Sequence, residues 1–581
     1  MQLVLLALNA SFVHTSLSAR YLSAVCREAG IKLEVVESNI NEGAEAISHR
    51  VAELRPGLLL CSVYIWNRRL MEDICTRIRL MEPGVIIAWG GPEVSGGWEE
   101  ILLREDVDYV ACGEGEGLIL SLIRALEQSE KPQGTGITWR GGPKPEVLSV
   151  PDLDDLPFPY VNETWLQSKI YYFETSRGCP YNCAYCLSSR VGVRYMSVET
   201  AKTHLAQMVG KVPLVKFVDR TFNAEPKRAR ELWGFLLGAL EETRFHFETC
   251  AHLLTEDDFR LLADPRAQRF QFEVGLQSAS PTSLGAVNRL MDATHTLQAV
   301  KRLVQLNTVE VHLDLIAGLP EESLATFLTA VNAALLALPH RLHLGFLKLL
   351  PGTLLRQGAK ELGLVYLPFA PYEVLRTPHM SPHDFFYLKR LSRVLERYYN
   401  SRQGEYALRY VLAQGVLTGA EMLEQLSLTE SRTTVQESVY LALQAHVPLP
   451  EVLRELCRFD YLLHEPHKRV PEALLGEQQP EDQAVREIVY GDPLRLFAAL
   501  PHRLGEKPGS VLRQLRWGKF SREALAELRL PDQCEVLFDH SLPRGARVCA
   551  LTNIHSPQQI SVCNYANRAY SHGNLGDDGV H

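Results

Sequence analysis

The chain has 581 residues, with 69 acidic against 60 basic side chains and a net charge of −9. That length asks for roughly two to four domains, each able to bury its own core, and an acidic balance without a Lys/Arg block gives no electrostatic case for nucleic acid or an anionic membrane surface. No apolar run approaches the ~20 residues that span a bilayer. MQLVLLALNA lacks a positive n-region and is soon followed by His14, so it reads as a buried first strand of a cytoplasmic protein. Of the 12 cysteines, most are expected to be reduced, buried small hydrophobes.

Residues 1–126 alternate short Leu- and Val-rich runs (LVLLAL, LEVVE, LLLCSVY, VIIAWGG, YVACGEG) with amphipathic stretches such as Leu17 to Ala29 and Leu70 to Leu80. Runs that are apolar throughout suit strands buried on both faces, which predicts a doubly wound, Rossmann-like parallel sheet. Ligands of such sheets bind beyond the carboxyl ends of the strands. There the chain places Asn9 and His14, then Ser62, then Gly90, Gly91, Pro92 and Glu93, then Gly113, Glu114, Gly115 and Glu116. Taken singly, each glycine pair is also an ordinary turn after a strand. Residues 127–160 are rich in Pro, Gly and charge and read as a linker with at most a small hairpin around GITWRGGPK.

The next stretch, ETSRGCPYNCAYCLS, holds Cys179, Cys183 and Cys186, the one cysteine cluster in the chain. Cys-x3-Cys-x2-Cys aims three sulfurs at one point, and soft thiolates select zinc or an iron–sulfur cluster over hard cations. A structural zinc site takes four protein ligands, and the dozen residues after Cys186 contain no Cys or His. A cluster with one open corner is the better reading, with a redox or zinc site as the alternative. From residue 161 to 355, YYFETS, VKFVDRTFN, FHFETCA, RFQFEVGLQS, EVHLDLIAGLP and LHLGFLKLLPGT are strand runs ending in polar residues, with helical patterns between them. Six such units predict a partial (β/α)6 barrel.

The cysteine loop, with Tyr185 just before its last cysteine, resembles the signature of the radical S-adenosylmethionine (SAM) superfamily. The resemblance extends over about two hundred residues, through DRTFN at Asp219, Glu248, Gln277 and Ser278 in GLQS, Arg289, and Asp314 in DLIAGLP. It implies a [4Fe–4S] cluster on Cys179, Cys183 and Cys186 whose free iron chelates SAM and whose electron splits it to methionine and a 5′-deoxyadenosyl radical. It further implies that Tyr185, Glu248, Gln277, Arg289 and Asp314 contact SAM, with Glu248 and Arg289 toward the methionine end and Gln277 and Asp314 at the ribose hydroxyls. Burying a carboxylate, an ammonium, a sulfonium and two hydroxyls needs such paired charges and directed hydrogen bonds.

In front of it, NASFVH, CSVYIWN, WGGPEVS and CGEGE resemble the cobalamin-binding domain that precedes many radical SAM enzymes, which makes the rim residues named above candidate cobalamin contacts. The Asp-x-His-x-x-Gly motif that supplies histidine to cobalt is absent, so the resemblance implies cobalamin with no histidine on the metal; Arg68 or Arg69 is placed to approach its lower face.

Residues 356–540 are mainly helical patterns, among them His383 to Tyr399, Tyr406 to Gln414 and Val435 to Ala445, and PYEVLRT and ERYYNSR resemble a C-terminal domain of unknown role appended to this subfamily. Tyr372, Tyr398, Tyr399 and Asn400 are either cavity-lining or core. Residues 541–581, poor in large apolar side chains toward their end, read as a poorly ordered tail. The expected activity is C-methylation of an unactivated carbon: one SAM methylates cobalamin, a second supplies the radical, and the substrate radical takes the methyl group. Its rivals are a cobalamin-assisted cyclisation or rearrangement and, in another class, an Fe–S electron carrier or redox sensor. Expected partners are a small-molecule or peptide substrate and a one-electron reductant such as flavodoxin or ferredoxin.

Overall fold

The apolar runs at the start of the chain become a parallel sheet in the computed structural model, which describes every residue except 133, 135, 151, 189–191, 240–241, 430–432, 466–467, 476–499, 501–502, 504, 508–509, 512–513, 533, 541–545, 553–560 and 566–581. Strands β1 (Leu3–Asn9), β2 (Glu34–Asn39), β3 (Leu58–Ser62), β4 (Ile86–Gly90) and β5 (Tyr109–Ala111) lie in the order β2-β1-β3-β4-β5, with β6 (Ile137–Trp139) antiparallel on the β5 edge. β1 and β3 are buried along their whole length, as their unbroken apolar composition requires.

Alternate side chains serve the two faces. Leu3, Leu5 and Ala7 pack under α1 (Leu17–Glu28) and α5 (Gly115–Glu127), while Val4, Leu6 and Leu8 pack under α2 (Ala44–Glu53), α3 (Arg68–Met81) and α4 (Pro92–Ile101). The sheet is therefore doubly wound. β1 has β2 on one side and β3 on the other, so the chain changes direction across Asn9 and Ser62, where such folds open a ligand crevice. β6 falls inside the stretch expected as a linker, and Thr138 Oγ1 donates to Pro143 O to close its turn.

A second sheet follows in chain order: β7 (Tyr171–Phe173), then β10 (Leu214–Phe217), β11 (Arg244–Glu248), β12 (Phe270–Gln277), β13 (Glu310–Ala317) and β14 (Arg341–Phe346). Between β7 and β10 a two-stranded ribbon is inserted, β8 (Ser176–Arg177) and β9 (Arg194–Tyr195). The helices between strands are α6 (Val198–Ala206), α7 (Pro226–Gly238), α8 (Glu256–Leu262), α9 (Pro281–Ala286), α10 (Ala293–Leu306) and α11 (Leu324–Leu336). Pairing is parallel from β7 through β13, and β7 and β14 are the two ends of the order, which makes six strands of an open, partial barrel.

The outward side chains Phe245, Phe247, Phe270 and Phe272 are fully buried; Phe247 and Phe272 meet Trp233 of α7, and Phe245 and Phe270 pack beside Phe247. Burying each contributes about 1.5–3 kcal/mol and holds the strands' spacing. The inward side chains of the same strands are polar: His246 Nε2 lies 2.7 Å from Glu273 and its Nδ1 2.9 Å from Gln271, whose Nε2 lies 2.8 Å from His312.

Residues 1–330 and 344–385 form one compact unit, which holds both sheets' ligand-facing ends; 331–343 and the chain from 386 form a second. The second is mainly helical, with Glu405–Gln414, Gly419–Ser427, Val435–Leu443 and Pro450–His464 as its main helices. Fully buried Asp460 caps the first of these, accepting from Tyr406 N and Ala407 N. The helical pattern running to Tyr399 ends in a π-helical turn, Leu395–Asn400. There Asn400 pairs with both the N–H and the carbonyl of Leu342, Tyr399 donates to Pro339 O, and Tyr398 OH meets Thr429, so all three are tied to their own unit. Strands Leu515–Lys519, Glu535–Asp539, Arg547–Thr552 and Ser561–Tyr565 form an antiparallel meander. Its last two strands lie in the stretch whose composition suggests a tail; residues 566–581 lie outside the described residues.

Candidate active site

The loop closed by the β8–β9 ribbon carries Cys179, Cys183 and Cys186. Gly178, at φ 95°, turns the chain into it. The loop's approach is anchored by Asp219, just after β10 and fully buried, which accepts from Thr175 N at 2.9 Å, Thr175 Oγ1 at 2.6 Å and Ser176 Oγ at 2.7 Å. Burial pushes the Asp219 carboxyl above the usual range, against those three hydrogen bonds. Farther along, Ala184 N donates to Val287 O and Leu355 N to Ala184 O, each at 2.9 Å. The backbone that aims the thiols is thus fixed at both ends.

Arg289 comes to the loop from beyond α9. Its Nη1 lies 3.7 Å from Cys183 Sγ and 3.5 Å from Tyr185 OH, and its Nη2 donates to Gly275 O at 2.5 Å. Thr221 Oγ1 is 3.8 Å from Cys179 Sγ. Gln277 ends β12 at a register shift with φ 64°, the strained bulge geometry that re-aims a side chain. Asp314 pairs in register with Gly275, and Glu248 with Glu273, so both belong to the same inward rim. Glu248 receives Arg220 at 3.4 Å. Of the five residues expected at SAM, Glu248, Gln277 and Asp314 lie on β11, β12 and β13, while Arg289 reaches Gly275 on one side and Tyr185 of the cysteine loop on the other. A Cβ on Gly275 would come within 2.3 Å of Gln277 Nε2 and 3.2 Å of Arg289 Nη2.

Two observations test whether these residues suit a cluster and a polar cofactor. Gln277 Oε1 and Arg289 Nε are buried without a hydrogen-bond partner among the described residues, an arrangement that a ligand with donors and acceptors would satisfy. The thiol set with an adjacent guanidinium suits soft metals and the negative charge of bound thiolates. Among the described residues no three His, Cys, Asp or Glu side chains converge on a single ion position; a cluster binds each cysteine at a different iron and asks for a wider set. The residues fit the cluster and SAM.

At the rim of the first sheet, most of the polar candidates bond to protein. Asn9 donates to His14 O and to Glu37, and His14 Nδ1 lies 2.7 Å from Tyr172 OH on β7. Fully buried Glu93 accepts from Tyr372 OH at 2.7 Å and meets Arg68 at 3.4 Å; burial pushes its carboxyl up. Glu114 accepts from Arg177, Arg194 and Val150 N, which together hold its carboxyl below the usual range despite burial. Glu116 accepts from Arg177 at 2.7 Å. Arg69 lies over the Phe369 ring at 4.1 Å.

Gly91 and Gly113 have φ 110° and 113°, and a Cβ there would meet the carbonyls of Val63 at 2.5 Å and Leu148 at 2.1 Å. Their freedom thus serves close packing inside the domain. Pro92 is the first residue of α4 and Gly115 of α5, and Gly90 ends β4 beside them. The hydroxyls of Ser18, Ser62 and Tyr64 form a chain at the crevice, and Tyr64 stacks on Trp66 with centroids 4.3 Å apart. These hydroxyls and rings lie beside the direction change, where folds of this kind take their ligand. Arg177, Arg194 and Gly275 were not singled out as site residues by the sequence, and Tyr64, Trp66 and Arg220 entered it only within the segments CSVYIWN and DRTFN. The only signal for Arg177 was its place two residues before Cys179.

Three family models match the chain: B12 binding domain over residues 3–123, radical SAM superfamily over 173–334, and a protein family of unknown function (DUF4080) over 360–528. Among curated relatives, the chain is 30% identical over 151 residues to the cobalamin-dependent radical SAM methyltransferase TokK of Streptomyces tokunonensis, covering 23% of this chain and 22% of that protein. It is 22% identical over 351 residues to an anaerobic magnesium-protoporphyrin IX monomethyl ester cyclase of Rubrivivax gelatinosus, covering 53% and 59%. The match to TokK thus spans about a fifth of that protein's length. Among solved structures, the fold resembles the cobalamin-dependent SAM radical enzyme OxsB with aqua-cobalamin and SAM bound (TM-score 0.55, 15% identity, 86% of this chain and 75% of that one). It also resembles the methyltransferase TsrM from Kitasatospora setae with cobalamin and a [4Fe–4S] cluster bound (TM-score 0.51, 15% identity, 80% and 99%).

Proposed function

We propose that this chain, which belongs to the radical SAM proteins that carry a B12-binding domain, methylates an unactivated carbon of its substrate. The observation that carries the reading is that the cysteine loop and the B12-binding rim meet directly, through Arg177 bonded to Glu114 and Glu116, inside one compact unit. When bound, the cluster with SAM supplies a hydrogen-abstracting radical and cobalamin supplies a transferable methyl group.

The chain's own residues do the rest. Cys179, Cys183 and Cys186 would hold three irons, and the Asp219–Thr175–Ser176 bonds keep their loop from shifting when charge changes. Arg289 would take the carboxylate of SAM, and Gln277 Oε1, lacking a partner among the described residues, would accept from a ribose hydroxyl. Asp314 and Glu248 complete that rim. The aromatic layer behind β11 and β12 keeps water out of the strand wall, while the inward His246, Glu273 and Gln271 bond to one another and hold the inner face of those strands together.

Incubating the anaerobically reconstituted protein with methyl-labelled SAM tests this without knowing the substrate. Label should appear on bound cobalamin. A second reading, cyclisation, is favoured by the Rubrivivax gelatinosus match, which covers more of this chain than the TokK match; it predicts 5′-deoxyadenosine with no label on cobalamin.

A further inference from the structure

Arg177 and Arg194 are directly opposed in the β8–β9 ribbon, at the base of the cysteine loop. Like charges facing each other across a strand pair repel, so this ribbon needs carboxylates from elsewhere. They come from two places. Glu174 precedes the loop and accepts from Arg177 Nη2 at 2.5 Å and Nε at 3.0 Å. Glu114 is the N-cap residue of α5 and Glu116 lies in its first turn, just after β5, on the rim of the B12-binding domain. Arg177 Nη1 reaches Glu114 at 3.0 Å, its Nη2 reaches Glu116 at 2.7 Å, and Arg194 takes both oxygens of Glu114.

The Arg177 side chain is 13% exposed, and those of Glu116 and Glu174 are 9% exposed. Water therefore screens the cluster weakly. A planar guanidinium presents five N–H groups in a fixed fork whose separate edges reach the three carboxylates here; an ammonium offers three N–H groups from a single point on a different stem and would not hold the same geometry.

We infer that Arg177, seconded by Arg194, is a positioning residue that registers the cysteine loop on the B12-binding rim and so fixes how the two cofactor-bearing rims face each other. This rests on the functional reading above and deepens it. Glu114 and Glu116, expected at cobalamin, act instead as the receiving half of the seam. Neither arginine touches the reacting atoms in this role. Its consequence is tight coupling: a radical formed at one rim finds the methyl carrier at the other without delay.

The experiment uses the full chain with Arg177→Lys, Arg177→Ala and Glu116→Gln, the last removing one charged arm where the alanine variant fails to fold. Amide exchange is read across the seam: in the cysteine loop for Glu116→Gln, and at 113–117 for the Arg177 variants. At least a tenfold acceleration is expected in each. In the reconstituted holoenzyme, iron and cobalamin contents should stay at wild-type values, while the magnetic interaction between Co(II) cobalamin and the reduced cluster changes from one defined splitting to a broad distribution. Unchanged exchange across the seam together with an unchanged splitting would overturn the assignment. A wild-type protein that binds no cobalamin would sink the functional reading instead, and the exchange measurement would still decide the seam.

Discussion

Arg289 makes the most of its position, since one guanidinium touches a cluster thiol, the Tyr185 hydroxyl and the carbonyl of Gly275. Arg289→Ala should weaken SAM binding by about 1.5–3 kcal/mol, the scale of a charged hydrogen bond, with iron content unchanged; equilibrium binding of SAM to the reconstituted variant measures it. Glu322 carries a second, independent expectation. It is fully buried and accepts from Ser278 Oγ, and burial pushes its carboxyl up to about 7. Between the unfolded value near 4.3 and that folded value, the folded state holds a proton that the unfolded state has lost, so stability falls as pH rises through this window. Above pH 7 the loss is complete, on the order of 3 kcal/mol. Glu322→Gln has no such proton, so its melting temperature relative to wild type should climb from pH 5 to pH 8. A constant difference across that range would mean the carboxyl titrates normally. Part of this neighbourhood was legible: the sequence named Tyr185, Gln277 and Arg289, and the fold sets Arg289 beside Tyr185 and beside Gly275, where Gln277 also crowds. The Arg177 contacts were not, because ion pairs between segments some 60 residues apart depend on how two sheets approach and leave no periodic trace.

At the scale of elements, β12 shows why pattern reading works for strands. Its alternation sends Phe270, Phe272, Val274 and Leu276 outward and Gln271, Glu273, Gly275 and Gln277 inward, as FQFEVGLQ spells out. What the pattern hides is the bulge at Gln277 and the reason for Gly275, whose missing side chain leaves room for Gln277 and Arg289. Gly275→Ala should therefore lower SAM affinity several-fold with little change in melting temperature, because the crowded atoms are ends of flexible side chains. Gly113→Ala should do the opposite. It faces a backbone carbonyl at 2.1 Å with φ 113°, and strain plus clash should cost about 1–3 kcal/mol of stability, read as an earlier thermal transition. The runs LVLLAL, LLLCSVY and VIIAWGG mark β1, β3 and β4 to within two or three residues. In contrast, β6 lies in the GITWRGGPK segment read as at most a small hairpin, and its place on the β5 edge was not legible, since three residues added to a sheet edge need no long apolar run.

Across the whole molecule, two ligand-facing rims lie in one compact unit, and the proposed chemistry belongs to the cofactors they would hold. Domain order and fold class follow from composition and periodicity, because each layer must bury a face. Chemistry follows from one loop, and so the test belongs there. The most direct measurement is 5′-deoxyadenosine formed from SAM by the anaerobically reconstituted protein under a strong one-electron reductant, beside its Cys179→Ala/Cys183→Ala/Cys186→Ala variant. Wild type should carry about four irons and release 5′-deoxyadenosine only when reduced, and the variant should lose both cluster and product. Equal product from the triple variant, or wild-type protein holding one tight zinc and no cluster, would contradict the account.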